Sequence, residues 1–406
     1  MATARPDIVY VHHGAARIYD TVVAIGRAGY SCRYLAGYYF DENGLPERLL
    51  RRLGAQRALA RLKRRHNPRL PAGQVERSFL LELMMTLEIR FPRLLPNFVL
   101  VRNLYIDLRG ALRVMMLRPR AVIVCDTHAL YTLRMAKRIG AVAILDQMIG
   151  HLSAGNRVLA EERRLHPEIP TDFRPAPARQ VRRCGREVRE AEYILAPSDY
   201  VRTSVIEAGA AAERVFLLPY GADTDMFGRE AEPPTPPFRI LFAGHIGLRK
   251  GVIYLLEAVR RLNLPDIELV LLGRIEGNGD WLAPWRDIFV HRAHLPHPQI
   301  PAVFAAAHVY VYPSLHEGST VSIYEAMASG LPVVTTPNAG SVVRDGTDGY
   351  VVPIRDVDAL AQRIETLYRD GDLRRKMGAS ARRQALEHTW DAYARRLSSL
   401  LGKLLD

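Results

Sequence analysis

The chain has 406 residues, more than one ordinary hydrophobic core holds, and this length predicts two domains of about 200 residues each. Apolar residues make up 48% of the sequence, so both cores can be filled as in a soluble globular protein. Three scattered cysteines, Cys32, Cys125 and Cys184, lack Cys-x-x-Cys spacing. They argue against a cysteine zinc site and for a reducing compartment without structural disulfides.

The start of the sequence predicts a first strand, because its apolar run before His12 is too short for a signal peptide. No uninterrupted apolar segment reaches the roughly 18 residues that a membrane-spanning helix needs. We therefore expect a cytoplasmic protein, either free or bound peripherally to the inner face of the cytoplasmic membrane. The net charge of +13 fits a nucleic-acid partner, an anionic membrane surface or an arginine-rich proteome.

Alternating strand and helix patterns fill the first half. The predicted strands are residues 7–12, 31–37, 121–126, 141–147 and 193–198. Several of them are nearly continuous apolar runs, which is typical of parallel strands buried on both faces. We therefore predict an α/β fold with a doubly wound, Rossmann-like sheet in this half, and ligands at the carboxyl ends of its strands.

Residues 46–70 form an unusually basic segment in which leucines recur at helical spacing among arginines. Basic amphipathic helices of this kind bind anionic bilayers, so one interpretation is a helix that docks on a membrane. The alternative is a solvated, arginine-rich helix. Nucleic-acid binding is disfavoured because the segment has no aromatic side chains to stack on bases, and we expect no nucleic-acid partner.

Polar residues follow the first-half strands where a cleft would lie. His12 and His13 precede Gly14, and the absence of a GxGxxG pattern disfavours a dinucleotide site. Four polar residues follow the next strands and are candidates to bind an acceptor molecule in such a cleft: Asp126, His128, Asp146 and His151. The alternative is that they cap helices or lie in the core.

The second half repeats the strand and helix alternation after a proline-rich linker at residues 231–238. Its first predicted strand, residues 239–244, runs into a loop that holds His245, Arg249 and Lys250 between glycines. Glycines and cations between a strand and a helix amino end predict a diphosphate site, because backbone and cations together neutralise the phosphate oxygens. Arg274, at the end of the next strand, is expected near a nucleotide base.

Residues 308–337 predict a strand, a loop, a helix and a second strand. Glu317 lies in the loop, and Glu325 lies eight positions later in the helix body. A helix amino end favours an anion such as a pyrophosphate, and two carboxylates beside it can accept hydrogen bonds from sugar or ribose hydroxyls.

This stretch resembles the donor-binding half of the family-4 retaining glycosyltransferases, which carry a Glu-x7-Glu motif. The resemblance is carried by Pro313-Ser314, Glu317-Gly318, Glu325-Ala326, residues 330–333 and Asp345-Gly346. It is tight over residues 239–393, recognisable over residues 191–223 and diffuse before them. The resemblance implies the GT-B fold, in which two Rossmann-like domains face each other across a cleft.

The resemblance also implies roles for individual residues. His128 matches a histidine that contacts the transferred sugar, Gly14 matches a glycine loop close to the donor, and Lys250 matches a diphosphate-binding lysine. His245 stands where the family has an arginine, so Arg249 is the candidate for the missing cation. Gly318, Ser319 and Thr320 replace a pattern with a bulky residue between two glycines, so the choice of sugar does not carry over.

The implied reaction is sugar transfer, with retention, from a UDP-, GDP- or ADP-linked sugar to a glycan, lipid-linked or small-molecule acceptor. Surface polysaccharide or glycolipid synthesis is the expected context. We expect Glu325 on the ribose, Lys250 and Arg249 on the diphosphate, and Glu317 with the amides of Ser319 and Thr320 on the sugar. No metal and no cofactor are expected. The alternative is a nucleotide-sugar-binding partner subunit with weak or no catalysis.

The expected domains are an acceptor-binding domain over residues 1–222, a linker over residues 223–238 and a nucleotide-sugar domain over residues 239–388. A carboxy-terminal helix over residues 389–406 is expected to cross back to the first domain.

Overall fold

Two parallel sheets organise the chain. The structure is a computed structural model that describes residues 5–14, 17–63, 65–91, 98–171, 173–228, 233, 235–293 and 295–405. Within this part of the chain no helix is both long and apolar enough to cross a membrane.

The first sheet has seven strands in the order β3-β2-β1-β4-β5-β6-β7. They are β1 Ile8–Val11, β2 Cys32–Leu35, β3 Val75–Glu76, β4 Ala121–Cys125, β5 Val142–Asp146, β6 Tyr193–Ala196 and β7 Val215–Leu217. All of the pairings are parallel, with Val9 opposite Arg33 on one side and Val122 on the other. Central β4 is buried along its whole length, as its apolar sequence predicts.

Helices cover both faces of this sheet. They are α1 Arg17–Arg27, α2 Leu45–Arg52, α3 Gln56–Lys63, α4 Phe79–Arg90, α5 Phe98–Leu117, α6 Leu130–Arg138, α7 Leu152–Leu165, α8 Ala178–Glu190 and α9 Asp199–Glu207. Ser78 caps α4 and Ser198 caps α9, each accepting a hydrogen bond from a backbone amide in the first turn.

The second sheet has six parallel strands in the order β10-β9-β8-β11-β12-β13. They are β8 Phe238–Ala243, β9 Ile267–Leu272, β10 Phe289–Arg292, β11 Val309–Tyr312, β12 Val333–Thr335 and β13 Gly349–Val351. The helices that follow its strands are α10 Val252–Leu262, α11 Ile300–Ala305, α12 Val321–Ala328, α13 Val357–Arg369 and α14 Gly371–Leu386.

The last helix, α15 Trp390–Leu405, packs on the first sheet's side of the molecule. Leu397 and Leu401 lie in one buried cluster with Ile18 of α1, and the Tyr393 hydroxyl lies 3.1 Å from the Thr21 hydroxyl. We call the first sheet with α1–α9 and α15 the first lobe, and the second sheet with α10–α14 the second lobe.

The prediction of a single helix over residues 46–70 is wrong. The chain forms α2 and α3 with Gly54 between them, and Gly54 has a left-handed φ of 64° that breaks a helix. The break turns Leu59 inward onto Tyr38 and Phe40. Part of the predicted linker over residues 223–238, namely residues 229–232 and 234, lies outside the described residues.

Candidate active site

The carboxyl ends of the two sheets meet at one crevice, and loops from both lobes touch there. The amide of Gly150 donates to the carbonyl of Glu317 at 3.0 Å, and the Ser198 hydroxyl donates to the carbonyl of Gly318 at 2.5 Å. Open parallel sheets bind ligands beyond the carboxyl ends of their strands, so this crevice is the expected place for a site.

A cavity of about 750 Å³ opens on the second-lobe side of this crevice. Loops after β8, β9 and β11 and the first turns of α12 form its walls. Six of the residues predicted to bind a ligand line it: Lys250, Arg274, Glu317, Ser319, Thr320 and Glu325.

Two cations and one carboxylate form a charged cluster at the edge of this cavity, which Lys250 and Glu317 line and Arg249 does not. Arg249 Nη1 lies 2.6 Å from Glu317 Oε1, and Lys250 Nζ pairs with the same oxygen. The Ser314 hydroxyl donates to that oxygen at 3.2 Å, and Arg249 also donates to the carbonyl of His316 at 3.0 Å. The short 3-10 helix Leu248–Lys250 holds both cations at the amino end of α10.

Burial sets the protonation of this cluster. Burial lowers the pKa of Lys250 to about 8, although the nearby Glu317 carboxylate favours the charged amine. Burial also acts to raise the pKa of Glu317, but the charges of Lys250 and Arg249 and their hydrogen bonds outweigh it, and the pKa lies below its ordinary value. Near neutral pH the cluster therefore carries two positive charges and one negative charge.

Glu325 lies on α12, on another wall of the same cavity. Within the described residues it has no ion pair and its carboxylate accepts no hydrogen bond. Burial raises its pKa to about 7. A half-buried carboxylate that lines a cavity without a described protein donor is suited to accept hydrogen bonds from a ligand's hydroxyls.

The backbone between Glu317 and Glu325 makes contacts within the protein that the sequence did not predict. The Thr320 amide, predicted to contact a sugar, donates to the carbonyl of Gly340 at 3.1 Å and is held by the protein in this structure. A Cβ on Gly318 would lie 1.8 Å from the carbonyl oxygen of Met148. Gly318 thus allows the lobes to approach each other, and it does not line the cavity.

Arg274 and His245, both predicted to bind a ligand, differ in their position relative to the cavity. Arg274 lines it directly after β9. His245 is half-buried and follows Gly244, but it is not among the lining residues. A Cβ on Gly273 would lie 1.9 Å from the carbonyl oxygen of Gly244, so the two loops meet backbone to backbone.

The first-lobe side of the crevice holds three histidines. The rings of His12 and His13 stack at 4.7 Å between centroids, and the ring of His128 lies 5.5 Å from that of His13. Burial lowers the pKa of His13 to about 4, and burial together with His13 and Arg102 lowers the pKa of His128 well below its ordinary value. All three rings lie outside the cavity's lining, and the two with lowered pKa values are uncharged at neutral pH.

Other first-lobe candidates are engaged within their own lobe. The Gly14 amide donates to His12 Nδ1 at 2.7 Å. Asp146 accepts from the Tyr10 hydroxyl at 2.6 Å, and Asp126 accepts from the Met148 amide at 3.2 Å. His151 caps α7. The structure gives each of these residues a structural contact and does not bring them into the cavity.

Sequence reasoning missed two residues beneath the charged cluster. Lys250 Nζ lies 5.3 Å from the centroid of the Tyr312 ring, which lines the cavity, and Ser314 contacts Glu317. Both lie at the end of β11, where alternation predicts which side chains are buried but does not show what they touch. Within the described chain, no group of three or more His, Cys, Asp or Glu residues is placed to hold a metal ion.

Comparison with known proteins relates part of this chain to glycosyltransferases. Residues 237–370 match the model of the family "Glycosyl transferases group 1". The D-inositol 3-phosphate glycosyltransferase of Paenarthrobacter aurescens is 31% identical over 244 residues, which cover 54% of this chain and 60% of the relative. The MMP alpha-(1->4)-mannosyltransferase of Mycolicibacterium hassiacum is 28% identical over 54% of this chain and 56% of the relative. The chain thus matches little more than half the length of these curated relatives.

Solved structures share the whole architecture. Anabaena HepE, crystallised with UDP and glucose, has a TM-score of 0.62 at 15% identity and covers 98% of this chain and 99% of its own. Sucrose-phosphate synthase from Thermosynechococcus elongatus has a TM-score of 0.61 at 16% identity, with 98% of each chain covered. The expectation of a GT-B fold is confirmed.

Proposed function

We propose that this chain is a retaining, family-4 glycosyltransferase that uses a nucleoside diphosphate sugar and works without a metal ion. The observation that carries the proposal is the cavity in which Lys250 and Glu317 face Glu325. This cavity lies within the segment that matches the glycosyltransferase family model. Polysaccharide or glycolipid synthesis is the proposed context, in keeping with relatives named for colanic acid biosynthesis and for sulfoquinovosyl transfer.

The nucleotide is proposed to bind along α12. The Glu325 carboxylate, which has no described donor, would accept hydrogen bonds from the ribose hydroxyls. Arg274 would lie against the base at the other end of the cavity. UDP is the first nucleotide to test, because HepE was crystallised with it, and GDP and ADP remain alternatives.

The diphosphate is proposed to bind Lys250 and Arg249. Both cations already hold a carboxylate oxygen of Glu317, so an anionic ligand at this point meets preorganised positive charge. Phosphate oxygens would share these cations with Glu317, whose remaining oxygen could accept a hydrogen bond from a sugar hydroxyl. The two side chains would then do the work that a metal ion does in other transferases.

The proposed chemical step needs no protein nucleophile. The bond between the anomeric carbon and the phosphate oxygen breaks, and its electron pair stays on the phosphate. The acceptor oxygen attacks the same face of the sugar, and its proton passes to the departing phosphate oxygen. Lys250 and Arg249 stabilise the negative charge that develops on the diphosphate, and this electrostatic effect supplies most of the rate enhancement. His128, uncharged and adjacent to the crevice, is proposed to contact the sugar.

The proposal can be tested by ligand binding followed by turnover. Thermal shift with UDP, GDP, ADP and their common sugars identifies the donor, since a ligand that binds the folded state raises the melting temperature. NMR of the anomeric proton of the product then reports retention or inversion, and a chelator tests the need for a metal. Tight binding with neither donor hydrolysis nor transfer would favour the partner-subunit alternative, and no binding of any nucleotide would refute the proposal.

A further inference from the structure

The helix α5 presents apolar side chains to solvent. Its buried side holds Ile106, Ala111 and Val114 together with Asn103 and Asp107. Every exposed side chain of α5 is apolar, with between 41% and 61% of its surface exposed: Val101, Leu104, Leu108, Leu112, Met115 and Met116. A solvated helix normally shows the opposite pattern, so this face is built to contact something apolar.

The neighbouring helix α4 extends this face. Phe79, Leu80 and Leu83 are each about half exposed. Glu88 of α4 pairs with Arg102 of α5 at 2.6 Å, which holds the two helices side by side. The apolar surface therefore spans two helices, and we call it the α4–α5 face.

Positive charge surrounds this face. Residues 45–120 contain 17 Lys and Arg residues and only five Asp and Glu residues, so they account for nearly all of the chain's net charge of +13. Each of the five acids is paired with an arginine inside the lobe. The cations that remain exposed include Arg48, Arg51, Arg52, Lys63, Arg90 and Arg118.

Direct contacts join the basic helices α2 and α3 to α4. Arg77 pairs with Glu47 of α2 at 2.9 Å, and its guanidinium lies 5.7 Å from the centroid of the Phe79 ring. Arg65, just after α3, pairs with Glu82 of α4. The basic segment and the α4–α5 face thus form one continuous surface.

We propose that the α4–α5 face and its surrounding arginines dock this chain on an anionic lipid bilayer. Leucine, methionine and phenylalanine side chains would enter the boundary between headgroups and acyl chains, while the cations bind anionic headgroups. A second copy of the chain is the less suitable occupant. A symmetric contact would place this positive surface against itself, and the five acidic side chains of residues 45–120 are already paired within the lobe.

The position of the face relative to the cleft indicates the purpose of docking. The Asn103 side chain donates to the Thr127 hydroxyl at 3.3 Å, and Thr127 precedes His128 at the crevice. Val101 and Leu104, one turn of helix or less from Asn103, begin the apolar stripe. On a docked chain this arrangement would hold the first-lobe side of the cleft beside the bilayer. The acceptor would then be a lipid-linked molecule, an inference that rests on the proposed function.

Vesicle sedimentation with the full chain tests the proposal. Vesicles of phosphatidylcholine mixed with phosphatidylglycerol should bind the protein at least about tenfold more tightly than phosphatidylcholine alone, and high salt should reduce the difference. Leu108→Gln with Leu112→Gln should weaken binding to the mixed vesicles about tenfold or more. The matched control, Leu165→Gln with Leu386→Gln, changes two equally exposed leucines elsewhere and should leave binding unchanged.

A second pair of variants separates charge from apolar contact. Arg51→Gln with Arg52→Gln should reduce the preference for phosphatidylglycerol several-fold, whereas Arg163→Gln with Arg164→Gln on α7 should not. The proposal is overturned if the unmodified protein binds neither vesicle, or if Leu108 and Leu112 instead govern a concentration-dependent dimer in sedimentation velocity. Thermal shift with UDP, GDP and ADP is measured in parallel. Vesicle binding without nucleotide binding would refute the proposed function and keep the docking surface.

Discussion

The backbone amide of Gly150 and the carbonyl oxygen of Glu317 are joined by a 3.0 Å hydrogen bond across the crevice. The residue that pairs with Lys250 at the cavity is therefore also a point of contact between the lobes. Gly318, the next residue, lies against the Met148 backbone. Any movement of the lobes relative to each other must act directly on the position of Glu317.

Gly318→Ala is expected to prevent this close approach. Its Cβ would lie 1.8 Å from the Met148 carbonyl oxygen, and neither backbone can yield cheaply. We expect a larger radius of gyration in small-angle scattering and a loss of transfer of about tenfold or more, as misplaced reacting groups cause. Gly73→Ala is the control, since a Cβ there meets nothing within 4 Å. Unchanged scattering and turnover would contradict the expectation.

Lys250→Met is expected to remove diphosphate stabilisation. The ratio of the two kcat/KM values should correspond to a loss of about 3 to 4 kcal/mol of transition-state stabilisation, the scale of one preorganised donor. The melting temperature should change little, because methionine keeps the buried apolar stem and Arg249 still pairs with Glu317. Lys403→Met, on the exposed side of α15, should leave kcat/KM unchanged. Near-normal turnover of Lys250→Met would move the diphosphate site elsewhere.

Glu325→Gln is expected to stabilise the protein without ligand while weakening nucleotide binding. The pKa of Glu325 is about 7 in the folded protein and 4.5, its ordinary value, in the unfolded chain. The unmodified protein therefore loses stability as pH rises from 4.5 to 7. The variant lacks this loss, and its advantage in melting temperature should grow across that range. Affinity for UDP should fall about tenfold, because a charged acceptor for ribose hydroxyls is replaced by a neutral one. A constant difference in melting temperature with pH would show that Glu325 does not titrate there.

Donor affinity is expected to peak between pH 7 and 8. Below about pH 7 Glu325 gains a proton, and above about pH 8 Lys250 loses one. Calorimetry with UDP-glucose is suitable, because its diphosphate does not titrate in this range. Lys250→Arg should remove the alkaline decline, since arginine stays charged. An alkaline decline that persists in Lys250→Arg would assign it to another group.

Arg355→Ala is expected to destabilise the contact between the lobes away from the cavity. Glu162 on α7 is fully buried, pairs with Arg355 and accepts from the Tyr254 hydroxyl of α10 at 2.7 Å. Removing Arg355 leaves a buried carboxylate without its cation, which should cost about 3 kcal/mol of unfolding free energy. Denaturation by urea measures this cost. Adding Glu162→Gln should restore part of the lost unfolding free energy. If the effects of the two changes simply add, the residues are not coupled.

Local pattern was sufficient for the second lobe. Residues 308–337 predict a strand, a loop and a helix, and β11, α12 and β12 follow that order because alternation, a glycine stop and Pro332 all act within a few residues. Strand order, which sets the neighbours of each loop, places Glu317, Lys250 and Glu325 on the walls of one cavity. Each lies just beyond a parallel strand or at the helix that follows, where topology fixes the position.

Long-range contacts were beyond sequence reasoning. The engagement of the Thr320 amide by Gly340 depends on how a distant turn packs. Asp146 looked like a cleft residue, but its hydrogen bond to Tyr10 depends on strand order in the first sheet. The break at Gly54 and the exposed apolar face of α5 were also missed, because helical spacing alone does not show which side of a helix faces the core.

The return of α15 to α1 means that the first lobe is assembled from two distant parts of the chain. Its core includes Leu397 and Leu401, which follow the whole second lobe in sequence. A ribosome has therefore finished translating the second sheet before the first lobe can complete its own interior. Until then the surface of α1 around Ile18 stays open to water, and a chaperone that binds apolar helices would find it there during synthesis.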